Sequence, residues 1–513
     1  MPAPQQLLDS TPIIIGVGQI TEQPLALEQC SSPVDLIEAA VLAAADDAGI
    51  SRQCLAQIDE LVLVRGFREF TRNSPEALAQ RINASAARCW ITPNGGNAPQ
   101  YLINRYAQAI ANGEHSMVLV AGSEAMDTSR RLHKAGIKPD WAQPSDSDPA
   151  LLYPDRAMAS AHEQAQGIVL PSNIYALFEN ALRQHYGHSI EEHQRALGEL
   201  FAPFSAAAAR SPHAWYPIER SAAEIATATE ANRYVGWPYT KYMNAMNQIN
   251  QSAALLLTSV GHARTLGVAE DQWVYLHGCA DVQEKWQVSE RVNYHSSPAI
   301  KLLGEQALAM ANKSIDQIDF VDLYSCFPSA VQIARDELGI ATDDPRPLTI
   351  TGGLPFHGGA GNNYVMNSIA AMVAKLRQHR GKYGLVTANG GFLTKHSAGI
   401  YSTAAPLGQW QRREPSDYQP LVDNLAQPPY VEKPSGRAVI ETYTVTFDRG
   451  NNPEMAIIIG RLGDGSDAMA PRFIAQTTRD DAQMLAMTQQ NFIGRSGTVD
   501  SSDSINIFHP QNL

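Results

Sequence analysis

Cysteine is scarce in this chain of 513 residues. The five present (Cys30, Cys54, Cys89, Cys279 and Cys326) are widely spaced and never form a CxxC pair. That excludes a disulfide framework and a cysteine-built zinc site, and it fits a reducing cytoplasm, the expected location. Positive charge is also short: Lys and Arg number 39 against 52 Asp and Glu, a formal net charge of −13. A nucleic-acid partner requires a basic face, so none is expected. No apolar run reaches the length that crosses a bilayer, and no membrane partner is expected. Met1-Pro2-Ala3-Pro4-Gln5-Gln6 lacks a basic stretch followed by an apolar one, so no secretory signal is expected.

The rest of the composition is that of a globular protein, 44% hydrophobic and 18% charged. Its length suits about two to four domains. One segment concentrates the chemistry: Thr351-Gly352-Gly353-Leu354-Pro355-Phe356-His357-Gly358-Gly359-Ala360-Gly361-Asn362-Asn363-Tyr364. A single histidine lies among glycines, and a periodic apolar run follows. A glycine loop that opens a helix aims backbone N–H groups at whatever lies in front of it. No Gly-Lys-Ser/Thr ends the loop, which excludes a P-loop, and Gly359-Ala360-Gly361 does not complete a dinucleotide fingerprint. A structural turn and a reaction site both remain compatible with the loop taken alone.

The chain repeats itself. Ser32-Pro33 opens a helical pattern through Leu36, Ala40 and Ala44, and Gln57-Ile58-Asp59 leads into Leu61–Val64. Ser297-Pro298 opens another through Leu302, Leu303 and Ala307, and Gln317-Ile318-Asp319 leads into Phe320–Tyr324. Further on, each half has a glycine turn, a helix and a strand. These are Asn94–Asn97, a run through Leu102, Tyr106 and Ile110, and Met117–Val120, against Gly358–Asn362, a run through Val365, Ile369 and Val373, and Gly384–Thr387. Helices alternating with short β-branched strands predict two similar α/β halves that face each other across a cleft. The first half is expected over residues 1–126 plus 236–275 and the second over 276–405, with a helical insertion at 127–235 that includes runs Ile174–Tyr186 and Ile190–Leu200. A proline-dotted linker at 406–436 precedes a small all-β domain at 437–513, in which Tyr443, Val445 and Phe447 alternate on one strand and Met455–Ile459 form the next.

These halves resemble the thiolase superfamily. Val118-Leu119-Val120-Ala121-Gly122-Ser123-Glu124-Ala125-Met126 resembles the thiolase strand that ends in Gly-Gly-Val-Glu-Ser-Met, and Gln251–Ser259 resembles the Asp-Gly-Ala-Ala-Ala-Leu strand. Tyr324-Ser325-Cys326-Phe327 resembles the His-Asp-Cys-Phe segment of the sterol-carrier-type thiolases, and the glycine loop resembles their Gly-His-Pro…Gly-Ala-x-Gly motif, shortened. The additional β domain is similar to that of the monomeric thiolase-like proteins of type 1, and to the OB-fold modules that accompany thiolase-like aldolases. The resemblance implies a layered α/β/α/β/α body with an OB-like appendage. It also implies acyl-CoA thioesters as substrate and partner, no tightly bound cofactor, and a monomer or homodimer.

The same resemblance exposes what is missing. Seventeen residues back from Gly113, where a thiolase carries its acylated cysteine, stands Gly96. The second thiolase cysteine falls on Asn389, before Gly390-Gly391, and the third motif's His or Asn falls on Tyr324. Only the loop histidine is retained, as His357. Acyl-enzyme chemistry needs a thiolate or an activated hydroxyl, which Gly96 lacks. His357 can polarise a carbonyl or shuttle a proton. Tyr324 can donate its hydroxyl or, with a lowered pKa, act as a base, and Asn389 can donate a hydrogen bond. Backbone N–H groups around Gly96, Gly390 and Gly391 can form an oxyanion hole. This set suits enolate chemistry without a covalent intermediate, either Claisen-type or the retro-aldol cleavage of a 3-hydroxyacyl thioester. Acyl-CoA or partner binding without catalysis is the reading of another class. Arg130, Arg131, Lys134, Lys138, Arg210 and Arg220 are the cations available for coenzyme A, and Trp237-Pro238-Tyr239 lines an acyl pocket or joins the core.

Overall fold

The computed structural model describes residues 7–24, 26–68, 71–141, 147–406, 408–502 and 505–511. The body is built on strands β1 (Pro12–Thr21), β2 (Glu60–Val64), β3 (Arg88–Ile91) and β4 (Met117–Ala125). Next in the chain are β5 (Tyr234–Gly236), at the end of the insertion, and β6 (Tyr239–Thr240), both outside the body's sheet; after them come β7 (Asn250–Ser259), β8 (Val274–Gln283), β9 (Phe320–Asp322), β10 (Tyr383–Gly390) and β11 (Lys395–Ser402). Their order in one sheet is β3-β2-β4-β7-β1-β8-β11-β10-β9. Outward from the β1–β8 seam the two sides match in order and sense. β1–β7 and β7–β4 are antiparallel and β4–β2 parallel; β8–β11 and β11–β10 are antiparallel and β10–β9 parallel. The repeat in the sequence is thus a repeat in the fold.

The repeat extends to close packing. A Cβ on Gly16 of β1 would stand 2.1 Å from the Ala44 carbonyl oxygen of helix Pro33–Asp47, and one on Gly278 of β8 would stand 2.2 Å from that of Ala307 in helix Pro298–Ala311. In both halves only glycine lets the outer helix lie so near the strand. Ser32 caps the first helix in a capping box with Asp35, and Ser297 caps the second. Strand alternation divides the core: along β4, Met117, Leu119 and Ala121 meet the outer helix, whereas Val118 and Val120 face inward. Between the two halves run helices Ala98–Ala111 and Tyr364–Gln378, which touch each other and strands of both sides. The layers are α/β/α/β/α.

The C-terminal part is a closed barrel of β12 (Gly436–Phe447), β13 (Pro453–Leu462), β14 (Arg472–Thr477), β15 (Ser496–Ser502) and β16 (Ile505–Pro510). Its order is β12-β13-β14-β16-β15, and β15 pairs back onto β12. The domain expected to be all-β also contains a helix, Asp481–Gln489, which places Met484 and Met487 in the barrel core. The apolar residues of this helix lie on more than one face, Leu485 being exposed, so no helical period can be read from sequence. The insertion does not stand apart either. β5 pairs with β12, and the Trp237 ring stacks on Tyr443 at 5.6 Å inside the barrel. Among the described residues no helix is long and apolar enough to cross a membrane.

Candidate active site

The first glycine turn, Asn94–Asn97, opens helix Ala98–Ala111. The second lies at the N-terminal end of helix Tyr364–Gln378. Asn362 joins them: its Oδ1 accepts from the Gly95 N–H at 3.0 Å, and its Nδ2 donates to Arg65 O at 2.9 Å and Asn94 Oδ1 at 3.2 Å. The base of the second loop hangs on buried Asp322, whose Oδ2 accepts from the N–H groups of Ile350 at 2.7 Å and Thr351 at 3.2 Å. Thr351 Oγ1 in turn lies 2.6 Å from the Tyr364 hydroxyl.

In front of the first turn is a cavity of about 810 Å³ lined by Gly96, Tyr324, Asn389, Gly390 and Gly391. Five of the six residues singled out from sequence therefore converge. His357 does not line it, whereas Leu354, Gly361 and Asn362 of the same loop do. His357 lines a second cavity, of about 800 Å³, with His213 and Thr351. Its ring is T-shaped to Tyr364 at 6.0 Å, and Tyr364 is T-shaped to Tyr324 at 5.9 Å, so one ring is interposed between the two. The orientation is set at the backbone, where the His357 carbonyl accepts from Trp215 N at 2.7 Å and Gln251 Nε2 at 2.9 Å.

Gly96 has no room for a side chain. A Cβ there would stand 2.5 Å from the Tyr324 hydroxyl oxygen and 2.6 Å from the Asn389 carbonyl oxygen. The phenol thus fills the space in which a thiolase-type nucleophile would lie. The N–H groups of Gly96 and Asn97 donate to no group among the described residues, and they head a helix whose dipole favours negative charge. The Tyr324 hydroxyl likewise has no hydrogen-bond partner there, while its N–H donates to Thr387 Oγ1 at 3.0 Å. Desolvation, then the neighbouring Cys326 and Tyr364, raise its pKa well above the ordinary 10. This corrects the expectation that a lowered pKa lets it act as a base: Tyr324 stays protonated and donates.

Asn389 Nδ2 donates to the Tyr175 hydroxyl at 2.8 Å, and its buried Oδ1 has no partner among the described residues. Tyr175 donates to Gly391 O at 3.1 Å and accepts from Leu393 N at 3.1 Å, so it closes the far side of the cavity. Cys326 also lines the wall, and burial pushes its thiol up to about 12, which keeps it protonated. Sequence reasoning passed over Tyr175, which lies in a helix buried on most faces where periodicity singles out no residue. Cys326 belongs to the buried core as well as to the cavity wall. Among the described residues, none that lines it is a lysine, arginine, histidine, aspartate or glutamate. The cavity can bind a polar carbonyl and stabilise negative charge on it, and its described lining residues include no strong base.

None of the six cations lines this cavity. Arg130 pairs with Asp127 at 2.7 Å, Arg220 covers the Tyr242 ring at 4.0 Å, and Arg210 borders the cavity of His357. Of the Trp237–Tyr239 segment, Trp237 belongs to the barrel core and the Tyr239 hydroxyl donates to buried Glu179 at 2.8 Å.

Burial depresses the His357 imidazole to about 4, with His213 adding to the effect and the Thr351 backbone opposing it. Neither ring nitrogen has a partner of hydrogen-bonding geometry among the described residues. The ring is neutral in the fold, whereas in the unfolded chain it takes a proton below its ordinary 6.5. The unfolded state therefore binds more protons between about pH 6.5 and 4, and stability falls as pH drops through that window. For His357 alone the loss reaches on the order of 3 kcal/mol at the acid end. Thermal melts from pH 7 to 4 check this: His357→Gln is expected to lose less melting temperature on acidification than wild type, and parallel losses would exclude His357 as the cause.

The described structure superposes on a monomeric SCP2-thiolase like protein type 1 from Mycobacterium smegmatis over 98% of this chain and 100% of the other, at 36% sequence identity and a TM-score of 0.84. The chain belongs to the SCP2-thiolase-like proteins of type 1. Within it, residues 417–504 match the family model for the additional C-terminal domain of thiolase-like protein type 1, and these residues include most of the barrel. Two more distant structures share the fold. An Ltp2-ChsH2(DUF35) aldolase matches at 20% identity and TM-score 0.57, over 77% of this chain and 99% of that one. An acetyl-CoA acetyltransferase from Syntrophomonas wolfei matches at 15% and 0.54, over 76% and 98%. No protein of curated function matches the chain.

Proposed function

We propose that this type 1 protein acts on acyl-CoA thioesters, making or breaking a carbon–carbon bond through a thioester enolate with no acyl-cysteine intermediate. Coenzyme A enters only as part of the substrate. The observation that carries this reading is the Tyr324 hydroxyl in the side-chain space of Gly96. A neutral donor stands where acyl transfer would need a nucleophile, beside two free N–H groups at a helix N-terminus. Such an arrangement stabilises an oxyanion. Retro-aldol cleavage of a 3-hydroxyacyl-CoA is the direction that uses it best. The 3-hydroxyl proton leaves to solvent, the bond between C2 and C3 breaks, and the electron pair moves onto the thioester as an enolate. That enolate is held by Tyr324, Gly96 and Asn97 until C2 is protonated. A carbonyl compound and a shortened acyl-CoA result. The aldolase and acetyltransferase among the structures of the same fold, and the monomeric state of the type 1 relative, support a single-chain enzyme of this kind, and the few scattered cysteines fit a reducing cytoplasm.

The absence of charged groups among the described lining residues favours a second reading, the binding of acyl-CoA without turnover. Incubation with acetyl-CoA and a panel of 3-hydroxyacyl-CoA thioesters, with products followed by chromatography and the protein by intact mass, separates the two. Cleavage products with an unmodified protein are expected. Tight binding and no product across the panel would leave only the binding reading, and an acylated cysteine would defeat the non-covalent one.

A further inference from the structure

Arg291 is 3% exposed and has no carboxylate within ion-pairing distance among the described residues. A buried guanidinium without an ion-pair partner is costly, so its hydrogen bonds indicate what it is for. It donates to Leu393 O at 2.7 Å, Phe392 O at 2.7 Å and Thr394 Oγ1 at 2.9 Å. These residues form the turn after Gly391, whose Gly390, Gly391 and Phe392 wall the candidate cavity. At the apex, Leu393 has φ of 54°, the left-handed region that a branched side chain rarely adopts. Such a residue persists only where its surroundings over-determine it. Here Arg291 grips its carbonyl, and the Tyr175 hydroxyl accepts from its N–H.

Arg291 is itself held from the barrel. Arg472, on β14 and fully buried, donates to the carbonyl oxygens of Arg291, Ser289 at 3.1 Å and Val292 at 3.4 Å. Glu441 on β12 fixes the guanidinium of Arg472 through two bonds of 2.9 Å and also pairs with Arg461. A continuous path of polar contacts therefore runs from the barrel core wall to the rim of the cavity. The barrel supports a second wall as well. Gly167 packs against Ile457 and Met455, and the Asn506 N–H donates to Gln166 Oε1 at 3.0 Å, just before the lining residues Val169 and Leu170.

We infer that the additional C-terminal domain shapes the active cavity, and that Arg291, held by Arg472, is a positioning residue that keeps the strained 391–394 turn in its reactive arrangement. The effect on turnover rests on the function proposed above; the effect on the turn does not. Arg291→Met is expected to lower kcat about tenfold to a hundredfold, with KM for a 3-hydroxyacyl-CoA changed less than about threefold, and Arg291→Lys to recover part of the loss. Arg472→Met is expected to lower kcat in the same direction, and the double variant to be no worse than Arg291→Met alone, because both act through one turn. Where no thioester is turned over by wild type, hydrogen exchange of the 391–394 amides in the full-length protein still decides the matter. Faster exchange there in Arg472→Met supports the path from the barrel. Unchanged exchange in either methionine variant, or additive losses in the double variant, would overturn it. Should Arg291→Met fail to fold, the same exchange measurement on Arg291→Lys, which keeps the charge and loses the fork, takes its place.

Discussion

Gly96→Cys is expected to lower kcat/KM on a 3-hydroxyacyl-CoA by at least about a hundredfold, without forming an acyl-enzyme. The substitution formally restores the residue type that thiolases acylate, yet the geometry works against it. The new Cβ would stand 2.5 Å from the Tyr324 hydroxyl oxygen and 2.6 Å from the Asn389 carbonyl oxygen, closer than non-bonded carbon and oxygen come. The Asn389 carbonyl is backbone at the end of β10 and cannot swing aside as a flexible side chain would. The helix N-terminus must therefore retreat, taking the Gly96 and Asn97 N–H groups with it, or the phenol must leave its place. Either movement dismantles the set of donors. Gly96→Ala, which adds the Cβ without the thiol, is expected to lose nearly as much. Intact-mass analysis after incubation with acetyl-CoA, beside steady-state kinetics, checks both. A Gly96→Cys protein that is acylated on the introduced thiol and turns over at the wild-type rate would show that the space is available and that the non-covalent reading is mistaken.

Tyr324→Phe is expected to reduce kcat/KM by about a hundredfold to a thousandfold, the usual effect of removing one oxyanion donor, while substrate binding stays nearly unchanged. Because the hydroxyl bonds to no protein group among the described residues, its removal leaves no buried partner unsatisfied. The melting temperature is therefore expected to hold or rise slightly, which separates this loss from a folding defect. The pH dependence follows from the direction of the shift. Desolvation raises the Tyr324 pKa, so the donor is present throughout the neutral range. Any limb due to its ionisation lies on the alkaline side, above the ordinary tyrosine value, with activity falling as pH rises through it. A Tyr324→Phe protein as active as wild type would remove Tyr324 from the reaction, and an acid limb that vanishes in the variant would show that it acts as a base and not as a protonated donor.

Much of the site was legible because the resemblance to thiolase motifs fixes registration. The spacing back from Gly113 places Gly96, and the motif matches place Tyr324 and Asn389 at strand ends and turns; these positions do share one cavity. His357 was the hardest to place from sequence. Glycines on either side of it, with φ of 76° at Gly353 and 116° at Gly358, let the loop turn either way, so no local rule assigns its ring to a side. Gln251 and Trp215, distant in the chain, decide it by holding the His357 carbonyl, and Asn362 takes the place at the cavity wall instead.

The sequence by itself determined the two α/β halves, the helical insertion, two of the five barrel strands and the absence of a cysteine at position 96. Capping, strand alternation and repetition are local properties, and they are read from neighbouring residues. Only the tertiary structure decided which groups meet across the cleft. Tyr324 fills the space above Gly96, Tyr175 arrives from the insertion, and Arg472 reaches from the barrel to Arg291. These partners are far apart in the chain, 214 positions for Tyr175 and Asn389 and 181 for Arg472 and Arg291. They are selected by packing and by the requirement that buried polar groups be bonded, conditions no single segment can express.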